Sequence, residues 1–397
     1  MDPERKLPTR VLRAVEVVLH DRVVEADLVL MGSTIDALLP AGTASGDEVW
    51  NLEGRRVRPG LVDLHNHGGW GIDFYRDGAD KIVECADRYS SIGVTSLLAT
   101  LHPGPIDEML ERLSEAARAC VASGVLLGIH LEGPFISHDR RGALPAEGIL
   151  PWDGGVMDRI LDAACGQLRV MTFAPEAIPT SALKSIRSAG VMLSIGHTSA
   201  DAGCTRAAID AGVWRCTHLC NAMPPMHHRS PGPVPVLLTD DRVRCEVILD
   251  GQHLDDDFVR LALALKEEDS LMAVSDAMPL AGLGETSGSF VGKEILSDGK
   301  RATLSDGTLA GSVMALPDAL TRTASALSLS PSRIAALGSL APAMDLGLKR
   351  HGRIASGCRA DLVVEEAGRV IAVLTGGERV GGEEDTAWMP EGVLRVQ

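Results

Sequence analysis

The chain has 397 residues, 45% of them hydrophobic and only 3% aromatic, enough for a large core built mostly from Leu, Val, Ala and Ile. A formal net charge of −16 argues against nucleic acid or an anionic membrane surface as a partner, and an anionic small substrate would need a local basic pocket. The eight cysteines form no CxxC pair, and no segment has a signal-peptide core or approaches the ~20 apolar residues of a membrane span, so a soluble, cytoplasmic protein with reduced thiols is expected.

Residues 11–57 alternate apolar and polar, with Val15, Val17, Leu19, Leu28 and Leu30 reading as strand faces. Strands are then predicted near 62–66, 94–99, 125–130, 169–173, 191–195, 214–218, 244–249 and 271–275, with helical patterns such as 107–122, 179–189, 199–211 and 255–265 between them. Eight strands alternating with helices suit an α/β (β/α)8 TIM-like barrel. A doubly wound open sheet is the alternative; the count of eight and the polar residues at strand C-termini favour the barrel. Stretches 133–154 and 277–312 read as long loops over the barrel mouth, the second carrying Asp298-Gly299 and Asp306-Gly307, pairs suited to hairpin turns. Residues 360–364 and 370–374 again read as strands. Both termini are therefore expected to form one small β-sandwich domain, residues 1–58 and 349–397, around a barrel of 59–348.

The polar residues at the strand ends carry the chemistry. His65 and His67, one residue apart on the first barrel strand, share a face. Glu132 ends the third strand before Gly133-Pro134; a buried carboxylate there needs a cation. His197 follows the fifth strand and His218 ends the sixth. Glu132, His197 and His218 would give three protein ligands and an open position, the pattern of a catalytic zinc site. Cys216 and Cys220 share the strand parity of His218 but read better as small packing residues. Asp276, after the eighth strand, is placed to move a proton between water and a leaving group. Arg229, in the proline-rich loop 221–232, and His253, after the seventh strand, suit a phosphate.

Together these segments resemble the N-acetylglucosamine-6-phosphate deacetylases of the amidohydrolase superfamily: Asp63-Leu64-His65-Asn66-His67-Gly68, His130-Leu131-Glu132-Gly133-Pro134-Phe135, Ala174-Pro175-Glu176, Gly196-His197-Thr198, Thr217-His218-Leu219 with Asn221-Ala222-Met223, Asp250-Gly251-Gln252-His253, Ser275-Asp276-Ala277-Met278 and Leu309-Ala310-Gly311-Ser312. The resemblance implies metal-dependent hydrolysis of N-acetylglucosamine 6-phosphate to glucosamine 6-phosphate and acetate. It implies one or two divalent metals per subunit, zinc before iron or manganese, on Glu132, His197 and His218, with His65 and His67 matching a second position that only some relatives use. Asp276 matches the general acid/base, and Ala143, Asn221, Ala222, Arg229, His253, Leu309, Ala310 and Gly311 match substrate positions. The phosphate contacts imply a homodimer with a shared phosphate site.

One departure stands out. Where relatives read glycine, a small residue and a carbonyl-polarising histidine, this chain has Gly142, Ala143 and Leu144, and leucine donates no hydrogen bond. A second metal on His65 and His67, an approach by His138, or a different substrate would each accommodate the change. The rival expectations are a deacetylase of another N-acyl amino-sugar phosphate, such as N-acetylgalactosamine 6-phosphate, and a catalytically silent scaffold.

Overall fold

In the computed structural model, which describes residues 8–382, eight parallel strands succeed one another in chain order: Leu61–Asn66, Val94–Leu101, Leu126–Glu132, Leu168–Phe173, Met192–Ile195, Arg215–Cys216, Arg244–Ile248 and Leu271–Val274. Each begins and ends within two residues of its sequence-predicted position. The ring closes past Val274, where the Asp276 amide donates to His65 O at 2.9 Å and the His67 amide donates to Ala277 O at 2.7 Å. This is a TIM-like barrel.

The strands are legible because they are covered on both faces and so read as near-continuous apolar runs; all eight residues of Val94–Leu101 are buried. Towards the C-terminal mouth the interior turns polar. Thr172 Oγ1 lies 2.8 Å from His130 Nε2 and 2.7 Å from Thr217 Oγ1, and Thr217 donates to Ser194 at 2.6 Å. Helices between the strands start at side-chain caps that satisfy otherwise unpaired amides: Asp153 for Gly154–Ala163, Asp201 for Ala202–Asp210 and Asp255 for Asp256–Leu265.

The two expected loops contain more structure than their composition suggests. The stretch after Glu132 makes short turns at His138–Arg140 and Ala146–Gly148 before the helix that begins at Gly154. Within 277–312, Glu285–Phe290, Lys293–Asp298 and Ala302–Thr303 form a three-stranded antiparallel flap, with Asp298-Gly299 at its second turn. Its first strand, Glu-Thr-Ser-Gly-Ser-Phe, has almost no apolar signal, yet Phe290, Ile295 and Ala302 pack with Met278, Leu280, Ala310 and Val313.

The termini meet in a separate sheet whose order runs Glu378–Gly381, Arg369–Thr375, Leu362–Glu366, Arg56–Pro59, Thr9–Val18, Val23–Met31, Thr34–Pro40. The first strand pairs with Glu48–Asn51 through Arg10–Arg13 and with Arg56–Val57 through Glu16–Val17, divided by a bulge at Ala14 (φ 53°). By contact the chain forms two compact units. One holds the stretch to Val62, Arg88–Thr95 and the stretch from Leu329; the other holds Asp63–Asp87 and Ser96–Ser328. Among the described residues no helix is long and apolar enough to cross a membrane.

Candidate active site

Five strand ends converge at the barrel mouth. His65 and Glu132 lie on the first and third strands, and His67 lies just past the end of the first. His197, His218 and Asp276 each stand two residues beyond a strand and take left-handed backbone, with φ of 45°, 26° and 48°. Non-glycine residues rarely adopt this region, and its cost is characteristically tolerated where a side chain must be aimed at a functional centre. Next to His67, Gly68 has φ 137°, and a Cβ there would sit 2.1 Å from Ile72 O, so only glycine allows the chain to turn away at once.

The side chains meet in two overlapping groups. His197 Nε2 and His218 Nε2 each lie 2.9 Å from Glu132 Oε1 and 3.1 Å from each other. His67 Nε2 is 3.3 Å from Glu132 Oε2 and 3.2 Å from His65 Nε2, while Asp276 Oδ1 lies 3.4 Å from His65 Nε2 and 3.5 Å from His67 Nε2. A tetrahedral ion with bonds of about 2.0–2.1 Å holds its ligand atoms about 3.3–3.4 Å apart. The observed spacings of 2.9–3.3 Å fall at or slightly inside this value, compatible with a coordination shell in which Glu132 is shared between Glu132–His197–His218 and His65–His67–Glu132.

Supporting bonds fix which imidazole nitrogens face inward. His197 Nδ1 donates to the Arg140 carbonyl at 2.8 Å and His65 Nδ1 donates to Glu246 Oε2 at 3.0 Å, leaving each Nε2 as the lone-pair atom. His130 is ruled out as a ligand, because its Nδ1 lies 3.0 Å from Leu64 O and its Nε2 is taken by Thr172. Burial holds the His130 ring neutral, down at about 3. Sequence reasoning missed Glu246. It is fully buried, accepts from Arg215 at 2.5 Å and from the His218 amide at 3.2 Å, and so ties two ligand residues together. Burial alone would raise its pKa, but Arg215 and His65 drive it well below the usual carboxylate range. The available signal was a lone charge in the apolar strand Cys245-Glu246-Val247-Ile248. Asp63, equally buried, accepts from the Ser275 amide at 3.1 Å and from Asn66 Nδ2 at 3.2 Å, pinning the first strand to the eighth.

The cluster is strongly negative in character. Burial opposes charge on His67, Glu132 and Asp276, yet Asp276 and Glu132 lift His67 to about 9, and the facing imidazoles depress both carboxylates. A field that retains protons so firmly attracts a cation for the same reason, so the donor set fits a divalent metal.

Above the cluster lies a cavity of about 270 Å³. Its walls include Ala143, Asn221, Ala222, His253, Leu309, Ala310 and Gly311, together with Leu144, Thr308 and Phe290. His253 is held by Asp250 through a 2.8 Å bond to Nδ1; burial works against its charge, but this carboxylate outweighs it and raises the His253 pKa. Gly311 takes φ 88°, where a Cβ would sit only 3.1 Å from Asp276 O, and the Ser312 amide donates to the same oxygen at 2.8 Å. Arg229 is elsewhere: it is exposed on the 221–232 loop, with Nη1 2.8 Å from His228 Nε2, and is not in the cavity wall. His138 is not in the wall either, whereas Leu144 is, and its side chain is buried.

A barrel mouth carrying these donors beside the Asp276 carboxylate is built for metal-dependent hydrolysis. Residues 56–380 match the Amidohydrolase family. An N-acetylglucosamine-6-phosphate deacetylase of Bacillus subtilis is 35% identical over 314 residues, 77% of this chain and 79% of the relative. An N-acetylgalactosamine-6-phosphate deacetylase of Escherichia coli O157:H7 is 31% identical over 78% of this chain and 83% of its own. The solved structure of an Asp-to-Ala variant of N-acetyl-D-glucosamine-6-phosphate deacetylase from Mycobacterium smegmatis, in complex with N-acetyl-D-glucosamine-6-phosphate, superimposes with a TM-score of 0.89 at 33% identity, covering 94% of this chain and all of that one. The chain belongs to the amidohydrolase family and, within it, to the N-acetylglucosamine-6-phosphate deacetylases.

The Glu246 bridge yields a direct test. Glu246→Ala strips a buried guanidinium and the His65 ring of their shared carboxylate and should cost about 3–5 kcal/mol of stability. Chemical denaturation measures this, and a variant as stable as wild type would show that the bridge does not support the site.

Proposed function

We propose that this chain hydrolyses the acetamide of N-acetylglucosamine 6-phosphate to glucosamine 6-phosphate and acetate. The observation that carries the reading is the meeting of Glu132, His197 and His218 within 2.9–3.1 Å beneath a cavity that also contains Asp276. Relatives and a structural neighbour with that named activity support it. Glu132, His197 and His218 would hold one divalent metal, zinc ahead of iron or manganese, and His65 and His67 with Glu132 offer a second position. Such an ion supplies Lewis-acid polarisation of the amide carbonyl and acidifies water to near pH 7.

The chain's own residues supply the remainder. Asp276, with its pKa lowered by His65 and His67 against the effect of burial, is ionised at neutral pH and accepts a proton from the attacking water. As the C–N bond breaks, the same carboxyl returns that proton to the departing amine. His253, whose charged form Asp250 favours, suits the phosphate, and Asn221, Ala222 and the 309–311 turn suit the sugar, so binding remote from the amide positions it for attack. Arg229 lies outside its own chain's cavity; we assign it to a neighbouring subunit's phosphate in a homodimer. Leu144 offers no donor to the acyl carbonyl, which gives the second metal position on His65 and His67 its purpose. All eight cysteines are free, which with a phosphorylated substrate suits a cytoplasmic enzyme.

The N-acetylgalactosamine 6-phosphate reading is kept by the relative that bears that name. Steady-state turnover of both epimers, with zinc, iron or manganese restored, is expected to favour the gluco epimer; turnover of neither would sink the proposal in favour of a silent scaffold. Asp276→Asn should lower kcat by about 10²–10⁴-fold while metal content stays at the wild-type level, and near-normal turnover would remove Asp276 from its role.

His253 gives the pH dependence a sign. Its raised pKa keeps it charged, and phosphate attraction intact, below that value; the attraction is lost as pH climbs through it. KM should therefore rise on the alkaline side, and His253→Asn should flatten that rise. A KM profile unchanged by the substitution would exclude His253 from phosphate binding.

A further inference from the structure

Phe290 separates the active cavity from a second chamber. The chamber of about 270 Å³ over the ligand cluster and a neighbouring one of about 320 Å³ share Phe290 as a wall. Its ring stands edge-on to two imidazoles, 5.6 Å from that of His67, which lines the first chamber, and 5.6 Å from that of His102, which lines the second. The ring is 4% exposed and lies at the end of the flap's first strand, fixed by packing with Met278, Ile295 and Ala310. Behind it lies a space lined by Tyr75, which stacks on His102 at 3.9 Å, and by the charged residues Asp73, Arg76, Glu108, Arg112 and Glu147.

The scissile amide must reach Glu132, His197, His218 and Asp276, and His67 lines the same cavity on the side of Phe290. Any acyl chain extending from that carbonyl past His67 meets the Phe290 ring. Leu144 and Ala143 make the rest of the acyl side apolar, while His253 and Asn221 offer polar groups for the sugar phosphate. We propose that Phe290 is the specificity-determining residue for acyl length. It stops the chain at acetyl, and the space the ring vacates when cut back, beside Met278 and Ala310, accommodates propanoyl or butanoyl groups. This rests on the amino-sugar phosphate deacetylase reading. The reaction itself is unchanged: water's oxygen bonds to the acyl carbon, the C–N bond breaks, and the proton passes to the amine.

The test measures kcat/KM for N-acetyl-, N-propanoyl- and N-butanoyl-glucosamine 6-phosphate with wild type, Phe290→Leu and Phe290→Ala, each reconstituted with zinc and assayed for metal content. Wild type should fall steeply from acetyl to butanoyl. The butanoyl-to-acetyl ratio should rise about tenfold or more in Phe290→Ala, since even one methylene in an apolar pocket is worth about 10–200-fold. Phe290→Leu, which retains most of the apolar volume, should fall between and keeps the comparison possible should the alanine variant fold poorly. A ratio that stays at the wild-type value while all three activities decline together would overturn the proposal. So would a wild type that hydrolyses the butanoyl substrate as well as the acetyl one. Wild type inactive on all three substrates would instead remove the deacetylase reading, and this proposal with it.

Discussion

Four imidazole nitrogens and two carboxylates point at one another within 3.5 Å in a site almost closed to water. Lone pairs and negative charge at that spacing repel unless protons or a cation lie between them, and desolvation multiplies the penalty. The barrel around the cluster exists to hold this unfavourable arrangement in place. A divalent ion would relieve the repulsion that the fold imposes, and that relief would give the site its affinity for metal. The proton is the natural competitor for the same lone pairs, so metal affinity and pH are coupled through one set of atoms.

Holding the donors in place requires structure well below them. Glu246 reaches from the seventh strand to His65 on the first and to the backbone of His218 beyond the sixth, while Arg215 balances its charge. Asp63 and Asn66 pin the first strand to Ser275 beside Asp276. The Leu309–Gly311 turn hangs on the Asp276 backbone through Ser312, so the proposed sugar contacts and the proposed proton carrier share one rigid support. Loops supply much of the cavity wall and the strand ends carry the candidate ligands, the division of labour that lets one barrel serve many substrates.

The barrel strands were legible because burial on both faces writes them as apolar runs, and the clustered histidines and acids because such a residue at the end of an apolar run stands out against it. Glu246 was harder to see: it sits inside a strand rather than at its end, and its partner Arg215 is distant in sequence. The flap was hidden because Glu285–Phe290 alternates Ser, Thr and Gly with an apolar residue only at Phe290, and that residue proves to be a wall of two chambers. Arg229 shows the opposite failure. Its residue type suits phosphate, but nothing in a loop's sequence says whether it turns towards its own cavity.

The central claim is that Glu132 is the ligand on which both groups depend. Metal analysis of the full chain purified in parallel as wild type and Glu132→Gln, after zinc supplementation and removal of loose metal, tests it most directly. Wild type should hold one to two equivalents of zinc and the variant almost none. A variant that keeps its full complement, or a wild type that takes up none, would contradict it.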